Sequence, residues 1–360
     1  MKKFVLVLSL GLFTLTGCGN LQSKGKEISY KEAIEKLNTA EVDTTAQNKF
    51  GVSYKIDKMM FNYLDETIVD LTDLKANVAL ENLSTQEDKV ELSGSADFSL
   101  KSFSLTTGTS KNEFKDIAAS AYIDDSKAYV DLSSKGLKTL LTFAGITDIT
   151  DDKFYVEIPS MDVPTTTPDT DPSQDRSIED IIQQIDPTIN PDEILTQINE
   201  VMESISPVFD KAVKAYTKDD YKDFTFEINI TKDIIVELVD TLTSTDLPVK
   251  PADKNNEIPT VGSIIDKALT EGGFKHIKAT IKIDDYQLTK VAVDINFGIN
   301  DIFTSLDDSD SESKIIKAEF KSSLDFTYGD KVEIKHLDDY SEFVKMDTTN
   351  IAVPSTYLAK

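Results

Sequence analysis

Val90-Glu91-Leu92-Ser93-Gly94-Ser95-Ala96-Asp97-Phe98-Ser99-Leu100 alternates apolar or small residues with polar ones at six inward positions in a row. Successive side chains of a strand point to opposite faces, so a period of two predicts a long strand with one face on a core and the other in water. The segments on either side follow the same rule. Upstream, Leu74, Ala76, Val78 and Leu80 alternate, as do Phe50, Val52, Tyr54 and Ile56. Met59, Phe61 and Tyr63 continue on the opposite parity, which predicts a bulge or turn near Lys58. Downstream, Ala119, Ala121 and Ile123 lead through Asp124-Asp125-Ser126-Lys127 to Ala128, Val130 and Leu132, the pattern of a hairpin with a polar turn. Phe154, Val156 and Ile158 make a further short strand.

A second run of strands closes the chain. Phe224, Phe226, Ile228 and Ile230 come first, then Ile277 to Ile283 and Val291 to Ile299. Ile316 to Tyr328 follows, expected to turn at Gly329-Asp330 into a last strand through Val332 and Ile334. Helical patterns lie mainly between the two runs. Ser29, Ser134, Ser177, Thr231 and Thr260 each precede an apolar stripe as an N-cap would. Asn190-Pro191-Asp192-Glu193 is a cap, a proline at the first helical position and acids in the first turn. It opens a stripe from Ile194 through Ile198, Met202 and Ile205, which Val208, Phe209, Ala212, Val213 and Tyr216 extend past Ser206-Pro207. About eleven strands in two runs, with helices between, predict an α+β fold: a large antiparallel sheet bearing packed helices.

The amino terminus carries a different message. Met1-Lys2-Lys3 is basic, Phe4 to Thr16 is almost continuously apolar, and Leu15-Thr16-Gly17-Cys18 ends the run. Such a stretch is shorter than the ~20 residues of a spanning helix and reads as a secretory signal. Leu15-Thr16-Gly17-Cys18 resembles the lipobox of bacterial lipoproteins. The resemblance implies cleavage after residue 17 and a diacylglycerol thioether on Cys18, with chains of the palmitate class. The protein would then sit on the extracytoplasmic face of the cell membrane, anchored through acylated Cys18. Two acyl chains hold where one holds only marginally. The expected organisation is a signal peptide over 1–17, the lipidated cysteine and a tether over 18–28, a body over 29–346 and a tail over 347–360. Within the body, the Pro-, Thr- and Asp-rich stretch 159–175 reads as an exposed linker at a domain boundary or, equally, as a long loop within one domain.

Layout and hairpin texture carry a second resemblance. Ala121 to Leu132, Ile283 to Val293 and Phe326 to Ile334 are hairpin stretches of one type, following a short N-terminal helix and long meandering strands. Together they resemble the LolA/LppX-type lipoprotein fold, an incurved antiparallel half-barrel with helices on its concave side. That resemblance implies an apolar ligand, such as a lipid, held between sheet and helices. Candidate lining residues are Met59, Phe98, Ile198, Met202, Ile205, Phe209, Leu238 and Ile265. The alternative is a surface protein whose apolar stripes fill its core and whose acidic exterior, or the loop from Pro159 to Ser173, meets another protein.

Composition narrows the field further. The formal charge is −26, from 64 acids against 38 bases, and removing Lys2 and Lys3 with the signal makes it −28. Such a chain repels nucleic acid. Cys18 is the only cysteine, so the body has no disulfide and no cysteine metal site. His276 and His336, 60 residues apart on expected strands, have no nucleophile motif nearby, and no phosphate loop or zinc spacing occurs. An enzyme is therefore not expected, and no cofactor. The acidic run 307–312 places carboxylates at calcium-loop positions from Asp308 to Glu319. Ser313 stands where the required glycine belongs, so a solvated hairpin loop is the expected identity.

Overall fold

The computed structural model describes residues 25–40, 48–64, 66–83, 92–124, 126–146, 151–158, 203–218, 221–244, 260–300 and 315–346. Among them run thirteen strands: β1 Lys26–Ile28, β2 Lys49–Tyr63, β3 Glu66–Asn82, β4 Leu92–Thr107, β5 Ser110–Asp124, β6 Lys127–Asp131, β7 Lys153–Glu157, β8 Val213–Thr217, β9 Phe224–Ile230, β10 His276–Asp284, β11 Gln287–Asn300, β12 Ile315–Tyr328 and β13 Val344–Lys345. They form one open sheet in the order β1-β8-β9-β10-β11-β12-β2-β3-β4-β5-β6-β7-β13. The sheet is mixed and mostly antiparallel, with β13 parallel to β7. Five helices accompany the sheet: α1 Tyr30–Thr39, α2 Lys135–Phe143, α3 (described over 203–212), α4 Lys232–Ser244 and α5 Val261–Gly272, besides a 3-10 turn at Gly329–Lys331. The α+β expectation is met, with two more strands than the alternation predicted.

The helices start where their caps lie. The Glu32 N–H donates to Ser29 Oγ (3.1 Å), the Leu137 N–H to Ser134 Oγ (3.4 Å), the Ile234 N–H to Thr231 Oγ1 (3.4 Å) and the Ser263 N–H to Thr260 Oγ1 (3.1 Å). Each satisfies one of the donors that a helix start leaves without an intrahelical partner. Tight turns are equally local. Asp285 and Tyr286, with φ of 48° and 61°, join β10 to β11 in the doubly left-handed conformation that matches strand twist.

Four expectations need correction. Residues 213–217 are a strand, because Val213 to Thr217 find a ladder on β9 that outweighs continuation of the α3 stripe. Lys26–Ile28, expected within the tether, pair with Ala215–Thr217 as β1. Lys58 lies inside one 15-residue strand, which excludes the turn, though not the bulge, expected there. The segment after Gly329 forms no strand at Val332 and Ile334; the Val332 side chain packs over Gly51, and the Lys335 N–H donates to a serine side chain (Ser95 Oγ, 3.1 Å) instead of a ladder carbonyl. His336 consequently sits exposed on an irregular segment.

The chain divides into two compact units. Unit 1 takes residues 1–42, 56–70 and 164–324, and unit 2 takes 43–55, 71–163 and 325–360. In unit 1, Ala33 of α1 packs with Ala215, Phe224, Phe226 and Ile283, flanked by Ile28, Leu37 and Tyr221. Val291, Ala292 and Val293 are consecutive and exposed by only 5%, 1% and 0%, so β11 is covered on both faces. Helix α5 sets its last turn directly on that strand. A Cβ on Gly272 would collide with the Ile299 backbone, and one on Gly298 with the Gly272 carbonyl. Asp240 of α4 lies over Gly262 at the start of α5, where a carboxylate suits the helix dipole.

Candidate functional site

Unit 2 is built around β4 to β7, whose registers define two faces. Ser95, Tyr122, Tyr129 and Tyr155 oppose one another in one row, and Asp97, Ser120, Asp131 and Lys153 in the next. The C-terminal segment lies on this polar, tyrosine-bearing face. The Tyr340 ring sits 4.1 Å from Tyr129 and the Phe343 ring 5.4 Å from it. Lys335 pairs with Asp97 (2.5 Å), Lys153 with Glu342 (2.5 Å) and Lys345 with Glu157 (2.7 Å). Burial works against the Asp131 carboxylate, but hydrogen bonds from Ser133 and the nearby Lys153 ammonium prevail and hold its pKa below the usual range. Burial pushes the Tyr340 and Tyr328 hydroxyls up.

The opposite face is apolar throughout. Ala96, Ala121, Val130 and Phe154 form one row; Gly94, Ile123, Ala128 and Val156 form the next; Phe98 opposes Ala119 and Leu100 opposes Ile117. Leu80 of β3 shares this face, because its side chain fills the space a Cβ on Gly94 would take. The Ser53–Asn77 hydrogen bond (2.7 Å) lies on the other side, so alternation puts Phe50, Val52 and Val78 with Leu80. Phe50 also meets the rings of Phe326 and Tyr328 at 6.2 and 5.6 Å.

Among the described residues, a helix covers this face only at one end. Leu137 and Leu140 of α2 pack on Leu100 and Ile117, both buried, with Phe103 and Phe114 stacked beside them. Ser134 fixes the helix there: its hydroxyl donates to the Asp116 carbonyl (2.8 Å) and accepts from the Ala118 N–H (3.0 Å). Asp116 has φ of 53°, and the ladder pairing of β5 with β4 skips it, so the serine replaces bonds the kinked strand lacks. Beyond this anchor, Ala96, Phe98, Ala119, Ala121, Ile123, Ala128, Val130, Phe154 and Val156 are all half-buried, and Phe50 and Val78 are exposed by 39% and 40%. The result is a half-buried apolar sheet face, the trough, on which Ala96, Ala119, Ala121 and Ala128 lie among the larger Phe98, Ile123, Phe154 and Val156. It offers apolar contact and no hydrogen-bonding group from these side chains, the chemistry of a site for hydrocarbon.

Among the described residues a cleft of about 290 Å³ lies by Lys75, Lys101 and Asp116, and two larger open clefts lie elsewhere. One of about 590 Å³ runs beside α2, lined by Phe114, Phe143, Lys135 and Lys138. The other, about 540 Å³, lies between α4 and α5 and is lined by Asp233, Glu237, Asp240 and Asp266. Lys232 pairs with Asp266 (2.7 Å) and Lys211 pairs with Glu237, so these carboxylates already have counter-ions. Among the described residues no cluster of three or more metal-ligating side chains is found, and no helix is long and apolar enough to cross a membrane.

The lining residues read from the sequence are only partly brought together. Met59, Ile205, Phe209, Leu238 and Ile265 belong to unit 1, Phe98 to the trough of unit 2. Phe209 is exposed by 41% while its neighbour Val208 is buried, so the stripe turns Val208 inward instead. Ile198, Met202, the loop 159–175, the acidic run 307–312, Cys18 and the tail 347–360 lie outside the described residues. Glu319, the last position of the calcium pattern, lies on β12 and pairs with Lys58 (2.5 Å). His276 shares a 3.0 Å contact with Asp294 across β10 and β11. Sequence reading missed the alanines of the trough, since alanine alternation marks a strand face without distinguishing an open face from a filled core. Compared with protein-family models, with curated proteins and with solved structures, the chain finds no match.

Proposed function

We propose that this protein is a membrane-anchored extracytoplasmic lipoprotein that binds an apolar ligand of the lipid class on the open face of unit 2. The observation that carries the reading is the run of nine half-buried apolar residues from Ala96 to Val156 on one sheet face. A soluble domain of this acidity gains by covering such a face, and contiguous apolar patches mark sites of interaction. The alanines support a slender occupant, because each small side chain leaves space above it that a hydrocarbon chain fills. The signal-like terminus and Leu15-Thr16-Gly17-Cys18 support acylation at Cys18 and attachment to the membrane. A sheet of thirteen strands is expected to curl or flatten, and we take it to be incurved, with helices on the concave side. The protein works by binding and not by catalysis.

The test is ligand binding by the body from residue 19 onward. Native mass spectrometry of this anchor-free protein, repurified after incubation with a membrane lipid extract, is expected to show bound lipid, and an apolar fluorophore is expected to brighten on titration. Ala121→Trp, which fills the trough, is expected to weaken uptake about tenfold, the loss of roughly 1.4 kcal/mol of binding. Protein that carries no lipid and takes up no fluorophore refutes the reading.

A further inference from the structure

The way the chain enters unit 1 assigns it an end. Lys26 pairs with Thr217, and Gly25, with φ of 79°, lies so close to the Thr217 carbonyl that a Cβ there would collide with it. The chain therefore joins the body at the end where β8 stops and β9 starts, since Thr217 opposes Phe224. Phe224 opposes Ile283, and Asp284 opposes Gln287, so the β10–β11 turn lies at the same end. The loops at this end are tied into one rim. The Tyr286 N–H donates to the Lys222 carbonyl (3.0 Å), and the Asp285 N–H donates to Asp223 Oδ1 (2.8 Å). Lys222 lies 3.8 Å from Asp285, and the Tyr221 hydroxyl donates to Glu32 of α1 (3.3 Å).

Only six residues, 19–24, separate Cys18 from Gly25. Fully extended they reach at most about 25 Å, and as a flexible coil they average about 15 Å. The opposite end of the unit, where β9 finishes at Ile230 and β10 starts at His276, is about 20 Å farther along the strands. On the reading that Cys18 is acylated, we propose that the rim of Gly25, Thr217, Lys218, Tyr221–Asp223 and Asp285–Tyr286 is the bilayer-facing surface of unit 1. The rim sequence holds Lys26, Lys218 and Lys222 against Glu27, Asp219, Asp220, Asp223 and Asp285. Attraction to anionic headgroups thus does not hold it there. The short leash does, and the orientation persists at high salt.

The experiment uses full-length lipidated protein in phosphatidylcholine–phosphatidylglycerol vesicles. With Cys18 acylated, an introduced cysteine is the one free thiol. Lys222→Cys on the rim and Lys275→Cys at the far end, both at exposed positions, each carry a donor dye, and headgroup-labelled lipid is the acceptor. Energy transfer is expected to be about twofold stronger from position 222 than from 275, given their ~20 Å separation along the strands. Twenty Gly/Ser residues inserted between Asn20 and Leu21 are expected to bring the ratio towards one. Protein that floats with the vesicles but transfers equally from both positions, or more from 275, overturns the orientation and leaves the anchor standing. Protein that does not float overturns both.

Discussion

Two sheet faces in this molecule have the same alternation in sequence and different fates. In unit 1 the row Ala215, Phe226, Ile281 and Val291 is buried at three of its four positions, and α1 seals it with Ala33 and Leu37. In unit 2 the row Ala96, Ala121, Val130 and Phe154 is half-buried at all four, and α2 closes only its far end. The difference teaches that a period of two announces an apolar face without announcing its cover. A covered face contributes stability, whereas an open one is available to a ligand.

Substitutions can break or sharpen that contrast. Leu269→Ala removes a side chain of α5 exposed by only 1%, and is expected to cost about 2–5 kcal/mol in urea unfolding followed by circular dichroism. A matched pair asks the question directly. Val293→Ala on the closed face is expected to cost about 2 kcal/mol, and Val130→Ala on the open face about 1 kcal/mol or less. Equal costs would mean that the trough is as well packed as the core, which would end the comparison.

The polar side of unit 2 gives smaller effects. Tyr340→Ala removes the ring tilted against Tyr129, expected to cost about 1–2 kcal/mol and to expose the C-terminal segment to limited proteolysis. Ser134→Ala should cost about 1 kcal/mol, through the lost cap and the unbonded Asp116 and Ala118 backbone. An unchanged midpoint would show that the kink in β5 supports itself.

The gentlest lever is pH. Asp223 is opposed by burial, but Lys218, the Asp285 N–H and Lys222 lower its pKa overall, as Ser133 and Lys153 do for Asp131. A depressed folded pKa contributes stability above the unfolded value of about 3.9, and that stability is lost as pH falls through the folded one. Unfolding midpoints are therefore expected to drop below about pH 4. Asp223→Asn should flatten the part of this slope that belongs to unit 1, and Asp131→Asn the part that belongs to unit 2. A slope untouched by either variant would assign the acid sensitivity to other groups.

Much of the fold was legible because its signals are local. The strand from Leu92 onward, the hairpin through Asp124 and Lys127, and the caps Ser29, Ser134, Thr231 and Thr260 all lie where their spacing places them. The misreadings share one cause. Val213 and Tyr216 fit a helical stripe as well as a strand, and the ladder from β9 decided between them. Three residues from Lys26 to Ile28 carry no pattern, and become a strand only because β8 offers an edge. Val332 and Ile334 alternate correctly, yet Val332 went to Gly51 and Lys335 to Ser95, leaving no ladder. Of the candidate site, Phe98 was legible and the alanines were not. Alanine is equally at home in a tight core and an open trough.

The sequence by itself determined the order of strands and helices, the turns, the caps and the acidic charge, since each depends on residues within a few positions of one another. It also placed the single cysteine behind an apolar stretch, seven positions before Gly25. Tertiary structure alone decided which apolar face a helix seals and which is left half-buried among the described residues, and at which end of unit 1 the chain enters. Those outcomes depend on contacts between residues far apart in the chain, such as Ala33 with Ala215 or Leu137 with Leu100. Local periodicity holds no information about such contacts.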